Sequence, residues 1–133
     1  MNKLYAFVLI SLLATTGRAD DIATSFKQAA ALGDAQEKDS AAGAYKHEVG
    51  AYYQQKYSPV FQSCVKSTDH PDPTPFSFVA PIGKDGRVLR LYADHESNIF
   101  ACVRPTLQQD EFPQPPLSPY YARISMSFSN AFQ

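Results

Sequence analysis

The chain has 133 residues, 44% of them hydrophobic, with 12 basic and 13 acidic side chains, a formal charge of −1 and two cysteines. That length holds one small domain with a modest core. The near-neutral balance supports neither a nucleic-acid surface nor a polybasic membrane patch, and two cysteines with three scattered histidines lack metal-ligand spacing.

Asn2 and Lys3 precede an apolar run from Leu4 to Ala14, and Gly17 and Ala19 hold the small-residue positions of a signal-peptidase site. The run is shorter than the ~20 residues of a membrane span. Residues 1–19 are therefore expected to be a signal peptide cut after Ala19, with no stable membrane insertion afterwards. Cleavage removes Lys3 and Arg18 and no acid, so the formal charge drops by two, from −1 to −3. Cys64 and Cys102 both remain. An even count in a small exported chain suggests one disulfide; two buried free thiols are the alternative.

Residues 20–44 are rich in Ala, Gly, Asp, Lys and Gln. They read as a poorly packed lead-in with one weak helix around Ile22–Leu32, broken at Gly33. From Tyr45 onward, Tyr45, Val49, Tyr52, Tyr53, Tyr57, Val60, Phe61, Cys64 and Val65 recur at spacings of three and four, which marks one face of a helix. Pro59 interrupts the pattern, and Ser58–Pro59 predicts a kink or a fresh helix start. The four tyrosines exceed what one stripe needs. Some are expected to be partly exposed, as at an interface, with ordinary core and rim packing as the plainer alternative.

Prolines at 71, 73 and 75 stop any helix. Phe76–Ile82 and Arg87–Ala93 then alternate around Gly83–Lys84–Asp85–Gly86, a hairpin signal that puts Leu89, Leu91 and Ala93 on one side. Ser97 or Asn98 can cap a second helix from Ile99, which Pro105 is expected to bend or end. Phe112–Pro119 is extended, because each proline restricts the residue before it; it reads as a connector, with a polyproline ligand as the alternative. In the final run, Tyr121–Ser129, residues Ala122, Ile124, Met126 and Phe128 alternate with Arg123, Ser125, Ser127 and Ser129, which marks a strand with one face on a core. The order is helix, strand, strand, helix, strand. It predicts an α+β domain over residues 45–133: a small antiparallel three-stranded sheet with two helices on one face, plus the weak N-terminal helix.

Little here promises catalysis. Asp94–His95–Glu96 is the densest ionisable cluster, but neighbours in an extended segment point to opposite sides and do not converge on one atom. The acids suit the approach to a helix N-terminus. No serine or cysteine sits in a nucleophile motif. The expectation is no enzyme, with no catalytic, cofactor or metal residues; a small secreted enzyme using Asp94–His95–Glu96 ranks well below.

The hairpin Phe76–Ile82, Gly83–Gly86, Arg87–Ala93, the helix carrying Cys102 and Leu107, the Phe112–Pro113 step and the terminal strand Tyr121–Phe128 together resemble the C-terminal domain of the TonB/TolA family of periplasmic proteins. The resemblance covers roughly Tyr45 to Phe128. It implies contact across the Gram-negative periplasm by pairing a sheet edge with a partner's extended segment. Carried onto this chain, it implies partner binding at Tyr121, Arg123, Ser125 and Ser127 through the backbone of that strand. It also suits a disulfide between Cys64 and Cys102 on two helices. The family's energy-transducing members keep a membrane helix and a long spacer, whereas here the leader is read as cleaved. The expectation is therefore a free periplasmic module whose partner is another envelope protein, with a stand-alone inhibitor or immunity protein as the alternative reading. Such an edge can also pair two copies as a homodimer. One of the N–H groups of Ser125 and Ser127 is expected to face outward.

Overall fold

The computed structural model describes residues 22–128; the leader read at 1–19 and the end of the terminal strand at Ser129 lie outside them. Ser25 caps the first helix, α1 (Phe26–Gln36), by accepting a hydrogen bond from the Gln28 N–H. Asp39 caps α2 (Ser40–Ser67) in the same way through the Ala41 N–H, so this helix begins ahead of its first tyrosine. Pro59 neither breaks nor restarts it. The proline is exposed, while Tyr57 and Phe61 on either side are buried, so packing outweighs the one backbone bond that proline forgoes. Ser97 caps α3 (Asn98–Gln109), and Pro105 likewise does not end that helix, because Val103 and Leu107 anchor it on both sides.

Three strands, β1 (Phe76–Ile82), β2 (Tyr92–Ala93) and β3 (Tyr120–Met126), form an antiparallel sheet in the order β2-β1-β3. The class is α+β. One face of β1, made of Phe76, Phe78, Ala80 and Ile82, packs with Tyr120 and Ala122 against the buried stripes of α2 and α3. These two helices thus share one face, as the element order suggests. Cys64 and Cys102 tie them together, with Sγ–Sγ 2.05 Å and Cα–Cα 5.9 Å.

The lead-in departs from expectation. α1 runs through Gly33 and covers the other face of the sheet, where Ala23, Ala29 and Ala30 pack on Val79, Tyr92 and Tyr121. Its small residues are what make this docking close. A Cβ on Gly33 would lie 2.9 Å from the Tyr121 carbonyl oxygen. The Tyr92 hydroxyl donates to the Ala23 carbonyl, and the Ala23 N–H donates to the Tyr121 hydroxyl at 3.2 Å.

The returning arm of the hairpin also departs from a regular strand. Ile82 faces Val88, yet Val79, three residues earlier, faces Tyr92, four residues later. One extra residue is accommodated as a bulge. Val88 and Leu91 consequently both turn toward the core, and Leu89 is exposed.

The tyrosine surplus is absorbed inside the domain. Tyr45, Tyr53 and Tyr57 are buried and Tyr52 is half-buried. Tyr45 donates to the Pro113 carbonyl at 2.6 Å. Asp110, a buried residue at the end of α3, accepts from Tyr52 (2.8 Å), Lys56 (2.5 Å), Tyr57 (2.7 Å) and the Glu111 N–H (2.8 Å). Burial pushes the Asp110 carboxyl up, but the bonds from Lys56, Tyr57 and Tyr52 outweigh it and hold the group below its ordinary 3.8. A carboxyl depressed by folding adds stability at pH values above its unfolded pKa, and that stability disappears as pH falls through the folded value. The melting temperature of the wild type should therefore fall more steeply below pH ~4 than that of Asp110→Asn, which has no carboxyl to protonate. Parallel acid slopes in thermal melts of the two proteins would sink this assignment.

Candidate functional site

β3 is an edge strand. Its full length pairs with β1, from Ile82 opposite Tyr120 to Phe76 opposite Met126. The direction of its other rail follows from two contacts. The Tyr121 N–H donates to the Gln36 side-chain oxygen at 2.9 Å, and the Gln36 side-chain amide donates to the Pro119 carbonyl at 2.8 Å. Tyr121 thus points its backbone groups away from β1, and alternation along the strand puts Arg123 and Ser125 on the same outer rail. Ser127, two residues on from Ser125, follows the same alternation, so Ser125 and Ser127 share a direction and are not alternatives. Among the described residues nothing meets the backbone N–H groups of Arg123 and Ser125.

A groove of about 130 Å³ runs along this rail. Gly33 of α1 and Glu37, the residue after that helix, form one wall, and Lys46, Val49 and Gly50 of α2 form the other. Gln36 occupies the outer rail at Tyr121 and Pro119, and a 2.6 Å ion pair between Glu37 and Lys46 joins the two walls. Gly50 leaves room, since a Cβ there would meet no atom within 4 Å. Toward Ser125 the strand is open, beside a shallow depression of about 310 Å³ lined by Ser77, Asp94, Ser125 and Ser127.

The residues expected at this site are not equivalent. Tyr121 is withdrawn: its ring is buried under α1 and its N–H is taken by Gln36. Arg123 is exposed, 3.8 Å from Asp34 and stacked over the Phe26 ring at 5.9 Å. Ser125 shares a 2.8 Å hydroxyl contact with Ser77. Ser127 is exposed just past the strand. The groove walls carry no local sequence signal. Gln36 lies 85 residues from the N–H it caps, so only the docking of α1 brings them together.

The acidic triplet disperses. Asp94 accepts from the Ser77 N–H at 2.8 Å, His95 contacts Asp72 at 2.7 Å, and Glu96 takes both 2.7 Å bonds from Arg104. Hydrogen bonds from Thr74 and from His95 hold the Asp72 carboxyl down at about 2. Each group serves a strap or a cap of the fold, and the three converge on no common atom. Among the described residues, no group of three His, Cys, Asp or Glu side chains could hold a metal ion, and no helix is long and apolar enough to cross a membrane. No protein-family model, curated protein or solved structure matches this chain.

Proposed function

We propose that this domain is a protein-interaction module that takes an extended segment of another envelope protein as a fourth strand on the outer edge of β3. The observation that carries the reading is the pair of unmet outward N–H groups at Arg123, which lines the groove between α1 and α2, and at Ser125, where the edge opens to solvent. Each added backbone bond is worth a net ~0.5–1.5 kcal/mol, so side chains seated along the walls must supply much of the affinity. The TonB/TolA-like element order points to the same mode of recognition. A periplasmic setting rests on the cleavable leader read at residues 1–19 and on the Cys64–Cys102 bridge, which suits an oxidising compartment. No catalytic step is assigned, because Asp94, His95 and Glu96 are each engaged elsewhere.

Proline distinguishes the two rails of one strand. At Ser125 it removes an outward N–H and no bond to β1, so the melting temperature should stay close to that of the wild type. At Ile124, which bonds to Phe78, it should disrupt the fold. Immobilised Ser125→Pro should lose the envelope proteins that wild type and Ser125→Ala both retain, as read by mass spectrometry. Retention of the same proteins by folded Ser125→Pro would remove β3 as the binding edge.

A further inference from the structure

We infer that the segment received on this edge is the free carboxy terminus of its partner, running antiparallel to β3, with its last residue opposite Arg123 and its carboxylate held by the Arg123 N–H and the Lys46 ammonium. The inference rests on the reading of β3 as an open strand-pairing edge and names the kind of segment that edge takes.

Direction and stopping point follow from the edge itself. The sheet is antiparallel throughout, and antiparallel pairing is the more stable kind, so an added strand runs from the Ser127 side toward Tyr121. Along that path it meets free outward N–H groups at Ser125 and then at Arg123. The next outward N–H, at Tyr121, already donates to Gln36, and the Pro119 carbonyl beyond it accepts from the same side chain. Pairing therefore stops at Arg123. A segment with more chain to place would have to turn off the rail there, whereas one that ends at this residue forfeits no bond. In a hydrogen-bonded antiparallel pair, the guest residue opposite Arg123 gives its N–H to the Arg123 carbonyl and accepts the Arg123 N–H on its own carbonyl. When that residue is the last one, the acceptor is a carboxylate, and one oxygen is left over.

The groove meets that leftover charge. Lys46 stands in its α2 wall, lining the same cavity as Arg123, and its ammonium has three donors, of which Glu37 takes one at 2.6 Å. The bond from Glu37 also pushes the Lys46 pKa above its ordinary 10.5, so the ammonium keeps its charge in neutral solution. An amino terminus at the same point would bring a third cation beside Lys46 and Arg123, whose own counter-ions are Glu37 and Asp34, and it would offer the Arg123 N–H no acceptor. Side chains add a second requirement. On the α2 face, the guest residue before the last lies opposite half-buried Ile124, and the residue two places earlier lies opposite half-buried Met126. Gly50 leaves open space beside the groove, so both guest positions are expected to be apolar.

Peptide display tests the terminus on the mature chain, with Cys64 and Cys102 left bridged. The probes are two libraries of random octapeptides, one displayed with a free carboxy end and one with a free amino end. Clones that the wild type retains and Ser125→Pro loses should come from the first library, with apolar residues second and fourth from the end. Made synthetically, such a peptide should bind at least about tenfold more weakly as its carboxamide, since a hydrogen bond to a charged acceptor is roughly twice as strong as a neutral one. Lys46→Gln should weaken the free acid about threefold and leave the carboxamide unchanged, the size of effect an exposed ion pair gives. Equal binding of acid and carboxamide overturns the inference and leaves the edge standing, as do Ser125-dependent clones that arise as readily from the free-amino library. An acid preference untouched by Lys46→Gln overturns the placing of the carboxylate in this groove. Failure of both libraries to yield any Ser125-dependent clone counts against the edge itself.

Discussion

Gly86→Ala should cost more than about 4 kcal/mol, a large share of the ~5–15 kcal/mol that small domains hold in total. Two independent penalties combine at this position. Gly86 has φ +86°, a left-handed conformation that costs a residue with a Cβ roughly 1–2 kcal/mol. The added Cβ would also lie 2.0 Å from the Phe112 carbonyl oxygen, a backbone atom that cannot swing aside. Relief requires the hairpin turn to move away from the 110–119 connector. That movement would break the 2.8 Å bond from the Phe112 N–H to the Gly86 carbonyl and unseat the buried Phe112 ring, which contacts Tyr52 and Tyr57. Gly83→Ala is the internal control. Its Cβ would first meet the end of the exposed Leu89 side chain at 3.1 Å, which can shift. Urea denaturation of the two variants should differ by several kcal/mol; equal midpoints would mean that the turn does not pack on the connector as described.

Removing the disulfide should have the next largest effect. Cys64 and Cys102 are 38 residues apart, and closing a loop of that length restricts the unfolded chain by about 4 kcal/mol in the entropic model. The double variant Cys64→Ser/Cys102→Ser should lower the urea midpoint accordingly. A reductant should reproduce the shift in the wild type, because Cys102 is exposed even though Cys64 is buried. The bridge joins the end of α2 to the first turns of α3, away from the wall that Val49 and Gly50 lend to the groove. A folded, bridge-free protein should accordingly keep its edge. An unchanged midpoint on reduction would show that packing of α2 on α3 restrains these segments without help from the bond.

Much of this architecture is written locally. The alternation of Phe76–Ile82 and of Tyr120–Met126, the three-four spacing from Tyr45 to Cys64 and the turn at Gly83–Gly86 each depend on neighbours a few residues away, and each appears in the structure close to its place in the sequence. Pro59 and Pro105 misled for a related reason: local propensity marks them as helix breaks, but the stripes on both sides are buried and the helices continue. The bulge that exposes Leu89 is likewise invisible to period-two reading, because it depends on how the two arms of the hairpin register against each other.

The amino-acid pattern by itself determined that the chain near its end forms a strand, and that Ala122, Ile124, Met126 and Phe128 share the face turned to the core. Only the tertiary structure decided which rail of that strand is free and how far. Those answers come from Gly33 and Gln36 on a helix whose alanines and glycine look featureless in isolation, from Glu37 just after it, and from Lys46, Val49 and Gly50 on the opposite wall. The physical reason is one of range. Hydrophobic period reports which face of an element is buried, whereas the availability of a backbone edge depends on groups more than 80 residues away being brought within hydrogen-bond distance.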